Sequence, residues 1–253
     1  MSPLLVTTVL AVGLHAPLLG YARNARMVGS TPSRARAAVV AVASVPAEAT
    51  EALDVCRKAA REKTEDPEAV CEALLQVEQQ MRAAAKGDDG ALSRATLASL
   101  DGAWRLVFTT GTIDTQTQLG RKINYFPLRA TQSFDTQTMA ITNGIYVGSF
   151  ALLKFFGTFD WLEDRRRLEF DFDSIAVLGF QFDLPTGGAE ELGAATGLGS
   201  KSNVQRSKKG KKAFFNWISA DEEIATARGG GGGLALWRRD TEMEADAGSG
   251  GGA

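Results

Sequence analysis

One histidine and two cysteines in 253 residues leave little material for metal or imidazole chemistry. His15 lies in the first apolar stretch, and Cys56 and Cys71 are the only thiols. A structural zinc site needs about four such ligands, and a serine- or cysteine-type nucleophile needs a histidine beside it, so neither class is expected and no metal or cofactor is assigned. Two cysteines also fail to make the disulfide framework of a small secreted domain. There is no charge excess: the formal net charge is −2, which gives no basic footprint for nucleic acid. Long apolar runs are missing as well. Leu4 to Gly20 comes nearest, but it is short for a membrane span and is broken by Thr7, Thr8 and His15.

The first 47 residues contain no acid at all. After the apolar run comes a small-residue site, Gly20-Tyr21-Ala22. The chain from Arg23 to Ala47 is then rich in Arg, Ser and Ala, a transit-peptide composition. The two segments in series have the form of a bipartite leader for plastids bounded by extra membranes; a plain secretory signal followed by a spacer is the other reading. Of the 28 Lys and Arg, four precede Glu48, so 24 face 30 acidic residues in a mildly acidic body.

Residues 48–99 read as a helical lead-in. Asp66-Pro67 breaks it, with Asp66 placed to cap and Pro67 at the first helical position, where its missing N–H costs nothing. Val70, Leu74, Val77 and Met81 then form one apolar stripe. In a helical hairpin Cys56 and Cys71 can face each other, or both can be buried and reduced. Ala91 to Ser99 is a further short helix.

From Trp104 onward nearly everything reads as strand. The nine candidates are Trp104–Thr110, Arg129–Phe134, Met139–Tyr146, Phe150–Trp161, Leu168–Ile175, Ala176–Leu184, Ala213–Ser219, Ile224–Arg228 and Leu234–Arg239. Glu163-Asp164 marks a hairpin turn, and Asn143-Gly144 a turn or bulge. Leu168, Phe170 and Phe172 alternate with Glu169, Asp171 and Asp173, a half-buried strand with one wet face. Thirteen phenylalanines predict a roomy aromatic interior. The expected fold is therefore mainly β with an N-terminal helical lead-in, a lipocalin-like antiparallel β-barrel over 100–240. Residues 186–210 read as a disordered Gly/Ser/Lys-rich insertion, and 241–253 as a flexible tail. The insertion ends in Lys201, Arg206, Lys208, Lys209, Lys211 and Lys212, which either meet anionic lipid headgroups or are a solvated loop.

Two motifs carry a family resemblance. Asp101-Gly102-Ala103-Trp104-Arg105-Leu106-Val107-Phe108-Thr109-Thr110 resembles the opening of the plastid lipid-associated protein domain, also called plastid fibrillin or plastoglobulin. Its far end is matched by the run from Trp217 to Gly230 and by Gly233-Leu234-Ala235-Leu236-Trp237-Arg238. The chain departs from the family in its longer Gly229–Gly233 turn and in the 186–210 insertion. The resemblance implies a non-enzymatic protein that binds or organises lipids or isoprenoids (carotenoids, quinones, fatty acids) at plastoglobules, on thylakoids or in the stroma of the plastid, with peripheral contact to those surfaces. Lipocalins close one end with Gly-x-Trp and a late basic residue, roles that Gly102, Trp104 and either Arg238 or Arg239 can fill. Inward strand parity nominates Leu106, Phe108, Tyr146, Phe150, Phe170, Phe172, Phe214 and Trp217 as cavity lining. Two other functions stay open. One is a carboxylate enzyme on the same barrel using Asp160, Glu169, Asp171 or Asp173. The other is a scaffold that docks on a plastid enzyme or photosystem through the helical lead-in.

Overall fold

The computed structural model describes residues 46–120, 122, 124–185, 187–189, 191 and 201–243. The leader up to residue 45, positions 192–200 of the insertion and the tail from 244 lie outside the described residues.

The lead-in folds as three helices, α1 (Ala47–Glu62), α2 (Pro67–Ala84) and α3 (Ala91–Leu100). Lys63 ends α1 in the left-handed region, and the Asp66 carboxylate then accepts from the backbone N–H of Glu68 and Ala69 to start α2. Ala49, Ala52, Leu53, Cys56, Ala59 and Ala60 make a buried stripe of mostly small residues on α1, which lets it approach its neighbours closely. Val70, Leu74, Val77 and Met81 are buried on α2, as their spacing requires. Cys56 and Cys71 are both free thiols. Burial pushes the Cys56 thiol up to about 12, which keeps it protonated at neutral pH.

Among the described residues the remaining chain forms ten strands. They are β1 (Gly102–Thr109), β2 (Asn124–Tyr125), β3 (Arg129–Asp135), β4 (Ala140–Val147), β5 (Phe150–Leu162), β6 (Arg167–Val177), β7 (Phe180–Asp183), β8 (Ala213–Ala220), β9 (Ile224–Gly229) and β10 (Leu234–Arg239). Eight of them close an antiparallel barrel in the order β1-β3-β4-β5-β6-β8-β9-β10, with β10 pairing back onto β1. This is a lipocalin-like barrel, mainly β with an N-terminal helical segment. The short β2 sits on β1 beyond β3, and β7 sits on β6 beyond β8. Two small helices, α4 (Ile113–Leu119) and α5 (Lys201–Ser207), lie in the connections. No helix among the described residues is long and apolar enough to cross a membrane.

Some expectations need correction. Asn143 and Gly144 are neither turn nor bulge but lie in the middle of β4, paired with Gln132 and Thr131. Gly144 is glycine because the Tyr146 ring lies over it: a Cβ there would stand 2.5 Å from Tyr146 Cε2. Strand Ala176–Leu184 is really a hairpin, since Leu178-Gly179 turns the chain between β6 and β7. The stretch 186–210 contains α5, whose Arg206 guanidinium donates to the Lys212 carbonyl.

Two apolar clusters hold the molecule. Outside the barrel, α1 and α2 pack on Phe108, Ile218, Ile224, Leu234 and Leu236. Inside are Trp104, Phe134, Ile141, Phe159, Leu168, Phe170, Phe172, Trp217 and Trp237. Several ion pairs fasten the helices to the barrel, among them Arg57–Asp221 and Arg61–Glu223, and the least exposed carboxylate among them belongs to Glu78. Arg228 on β9 donates from Nε to Glu78 Oε1 at 2.8 Å and from Nη2 to Oε2 at 2.5 Å, and its Nη1 reaches the Gly232 carbonyl at 2.7 Å. The guanidinium holds the Glu78 carboxyl below its usual range. Glu78 is nearly buried at 14% side-chain exposure, and truncating it strands the partly buried Arg228 charge. Glu78→Ala is expected to destabilise by about 1–3 kcal/mol at pH 7, between exposed and buried pairs. Because the folded-state pKa is depressed, this contribution is present above the ordinary glutamate range and is lost as pH falls through the folded value. Urea denaturation of both proteins should therefore show the gap closing in acid; a gap independent of pH would contradict the pairing.

Candidate functional site

The floor of the barrel is built where α3 runs into β1. Gly102 enters the strand at φ 103°, a backbone setting that side-chain-bearing residues rarely adopt. Two residues on, Trp104 is completely buried, and its indole N–H donates to the Leu100 carbonyl at 2.8 Å. Arg239 lies directly opposite on β10, its guanidinium carbon 4.0 Å from the Trp104 ring centre. It also donates to the Ser99 carbonyl at 2.8 Å and to the Asp101 carbonyl. A cation at the carbonyl end of a helix is electrostatically favourable, so one side chain closes the seam and caps α3 together. Of the two arginines nominated, Arg239 faces inward and Arg238, one residue back, faces outward.

Above the floor the rings form one connected network. Phe134 meets Phe159 and Trp217 edge-on, Trp217 meets Trp237 at 5.1 Å, and Phe215 links both tryptophans to Phe170. Facing the bulky rings across β9 and β10 are Ala225, Ala227 and Ala235, so large sides oppose small ones and the lower half is solid. Above the floor the inward residues are mixed: Ile145, Ile175 and Ala213 are buried, while others are half-buried. Leu106, Asn143, Leu153, Phe155 and Phe215 all retain accessible surface. These half-buried residues mark the part of the interior that the protein's own side chains cover least. Leu184 and Ala189, after β7, pack on the same interior cluster, so the segment following β7 covers part of it. Gly157, inside on β5, lies against β6: a Cβ would fall 1.9 Å from the Asp171 carbonyl oxygen. This close approach holds Phe155 and Phe172 together, 5.4 Å apart.

Of the eight nominated lining residues, Leu106, Phe170, Phe172 and Trp217 face the interior. The other four do not. Register slips between Leu106 and Phe108, so Phe108 turns outward beneath the helices, edge-on to Tyr125. Tyr146 is outside, flanked by Arg129 and Lys154 at 5.5 and 5.8 Å. Phe214 is outside between Arg167 at 4.0 Å and Arg206 at 4.6 Å, and Phe215 takes the inward place. Phe150 is 56% exposed at the β4–β5 tip rather than enclosed. Sequence reasoning missed Phe134, Phe155, Phe159, Phe215 and Trp237. The period-two alternation with Trp217 was the available signal for Phe215, and alternation with Ala235 the signal for Trp237.

The acids Glu169, Asp171 and Asp173 alternate with inward Leu168, Phe170 and Phe172 and so face away from the interior. Asp160 also lies outside, 2.5 Å from Lys212 Nζ. On the outer wall Arg105 sits directly across from Arg238; burial and the charges of Arg238 and Arg129 lower its pKa. A hollow of about 90 Å³ between Gly187, Glu191, Val204, Ser207 and Lys208 is too small for a lipid chain.

The chain matches no family model, no curated protein and no solved structure.

Because Arg239 joins β1, β10 and α3, Arg239→Ala is expected to lose about 2–3 kcal/mol, combining a desolvated cation–π contact with charge-assisted hydrogen bonds. Arg239→Lys should recover only part of it, since an ammonium cannot lie flat on the indole while reaching both carbonyls. Guanidinium denaturation followed by tryptophan emission measures this; full recovery by lysine would contradict the stacked geometry.

Proposed function

We propose that the protein is a non-enzymatic binder of hydrophobic molecules in the plastid, taking isoprenoids (carotenoids, quinones) or fatty acids into its barrel at plastoglobules or thylakoids. The observation that carries this reading is the aromatic interior of the closed barrel, which we read as a cup opposite Trp104: Phe155, Phe172, Phe170 and Phe215 lie on its inward wall, and Phe155 and Phe215 are only half-buried. The plastid address and the family rest on the acid-free leader and on the two motifs around Trp104 and Trp237. Burial of each methylene contributes about 0.8 kcal/mol, so about ten carbons outweigh the ordering of a flexible chain. The carboxylate-enzyme reading has less support, since its four acids lie on outer faces.

The mouth carries a second feature. Val147, Phe150, Leu178, Phe180 and Phe182 are all exposed, and they sit on two adjacent hairpin tips, β4–β5 and β6–β7. Exposed large apolar groups in one place mark an interaction surface. Placed at the rim of the cup, they suit a lipid surface from which an apolar molecule is drawn without crossing water.

A fluorescent fatty acid such as cis-parinaric acid should bind saturably to the purified barrel. Leu106→Trp, which adds bulk on an inward half-buried site, should weaken that binding at least about tenfold while leaving the fold intact by circular dichroism. Absence of saturable binding to the wild type overturns the reading. Independently, Phe150→Asp with Phe180→Asp should abolish cosedimentation with galactolipid vesicles without changing binding in solution. Unchanged cosedimentation would remove the rim from the account.

A further inference from the structure

The interior is not wholly apolar. Register places one row across six neighbouring strand pairs, inward-facing along the barrel strands from Arg239 opposite Trp104, through Trp104 opposite Gln132, Gln132 opposite Asn143, and Asn143 opposite Phe155, to Phe155 opposite Ile175; beyond the barrel Ile175 lies opposite exposed Phe182 on β7. Residues directly opposite in antiparallel strands share a face with Cβ atoms about 4.5–5.5 Å apart. The row climbs obliquely from the floor at Trp104 to the rim at Phe182. Its middle is two amides.

Gln132 is 95% buried, at 5% exposure, between the Trp104 indole and Asn143. Its Oε1 has no hydrogen-bond partner, and neither has Oδ1 of Asn143, the residue opposite it. Trp217 Nε1, in the same interior, is likewise unanswered. Two adjacent side-chain carbonyls without partners, walled by Trp104 on one side and Phe155 on the other, are costly to keep in an apolar barrel. A side chain of Leu or Met would pack there without that cost. Asn143 is half-buried and Gln132 below it is buried, so in a cup lined by the half-buried inward residues the amides stand at the bottom.

We propose that Gln132 and Asn143 form a polar station inside the barrel that accepts a hydrogen bond from the hydroxyl of an otherwise apolar ligand. The barrel would then select an isoprenoid or long-chain alcohol, inserted hydroxyl first, over the same chain without a donor. This rests on the reading of the cup as a binding site and specifies its ligand class. A hydroxyl is suited to the pair because it both donates and accepts, whereas an ether or an alkene brings no donor to the two oxygens. A carboxylate is disfavoured, because its oxygens would face amide oxygens with no cation in the row above Arg239, which is already engaged with Trp104 and the α3 carbonyls.

The test compares farnesol with farnesyl methyl ether, each displacing a fluorescent apolar probe from the purified protein. The two share a chain and differ in the hydroxyl proton. Wild type should bind farnesol at least about tenfold more tightly than the ether, the penalty for leaving a buried acceptor unanswered. In Gln132→Met and in the Gln132→Leu, Asn143→Leu double variant the ratio should fall toward one, with the ether bound as well as or better than by wild type. The wild-type ratio needs no variant, so a misfolded double variant leaves the test standing on Gln132→Met and on that ratio. A wild-type ratio near one overturns the proposal, because the oxygens are then served by water or by the neighbouring amide N–H groups. So does a ratio that both variants preserve. If neither compound displaces the probe and parinaric acid fails too, the cup itself is not a binding site; if parinaric acid binds while neither farnesyl compound does, the hydroxyl station alone is refuted.

Discussion

Pairing of β1 with β10 is the constraint on which the rest of the structure depends. It joins residues more than a hundred positions apart, and the entropy of closing so long a loop rises only slowly with its length. Without it, both strands would be free edges presenting unpaired backbone groups. The seam is clamped from both sides. On the inner side Trp104 and Arg239 stack across it, and Arg239 ties it to the end of α3. On the outer side Phe108, Leu234 and Leu236 carry α1 and α2. The slip of register after Leu106 makes this double use possible. It lets a single strand send Trp104 to the floor and Phe108 to the helices, although even spacing would put both on one face.

The same slip explains which parts of the molecule were legible in advance. Most strand positions and the barrel follow from alternation and turns, but that reading makes Ala176–Leu184 one strand where the chain turns between β6 and β7, and it misses the short β2. The Asp66 cap and the Val70–Met81 stripe are local and equally readable. Side-chain direction is not local. Phe108 and Tyr146 lie beside register irregularities, at Leu106/Phe108 and Ile145/Tyr146, and a period-two reading carried through such a site gives the wrong face. Phe214 is a different failure. Two adjacent phenylalanines compete for one inward position, and the outcome depends on Arg167 and Arg206, distant arginines that sandwich the outward ring. Gln132 and Asn143 carry no apolar signal at all, so the polar centre of the row emerges only when registers of three strands are put together.

Stability and binding are separated within the barrel. The wall made by β8, β9, β10 and β1 is covered by helices outside and by packed tryptophans with small alanines inside. Its strands are short, six residues for β9 and β10. The opposite wall contains β5 and β6, of 13 and 11 residues, which outrun their partners and carry β7 with them. Their tips carry exposed Phe150 and Phe180, and below them half-buried Leu153 and Phe155 stand beside buried Phe172 and Ile175.

That asymmetry bears on what the extension is for. A barrel of this strand number can be filled by its own side chains, as the lower half here shows. Extra strand length that ends in exposed Phe150, Leu178 and Phe180 adds little to such filling and leaves apolar surface in water. The β5–β6 pair is also where Gly157 lets the backbones close up beneath Phe155 and Phe172. The extension therefore shapes a wall rather than a core. Together with the unanswered amides at its foot, it makes the upper barrel a place whose own groups do not satisfy one another, which is the physical condition for accepting a molecule from outside.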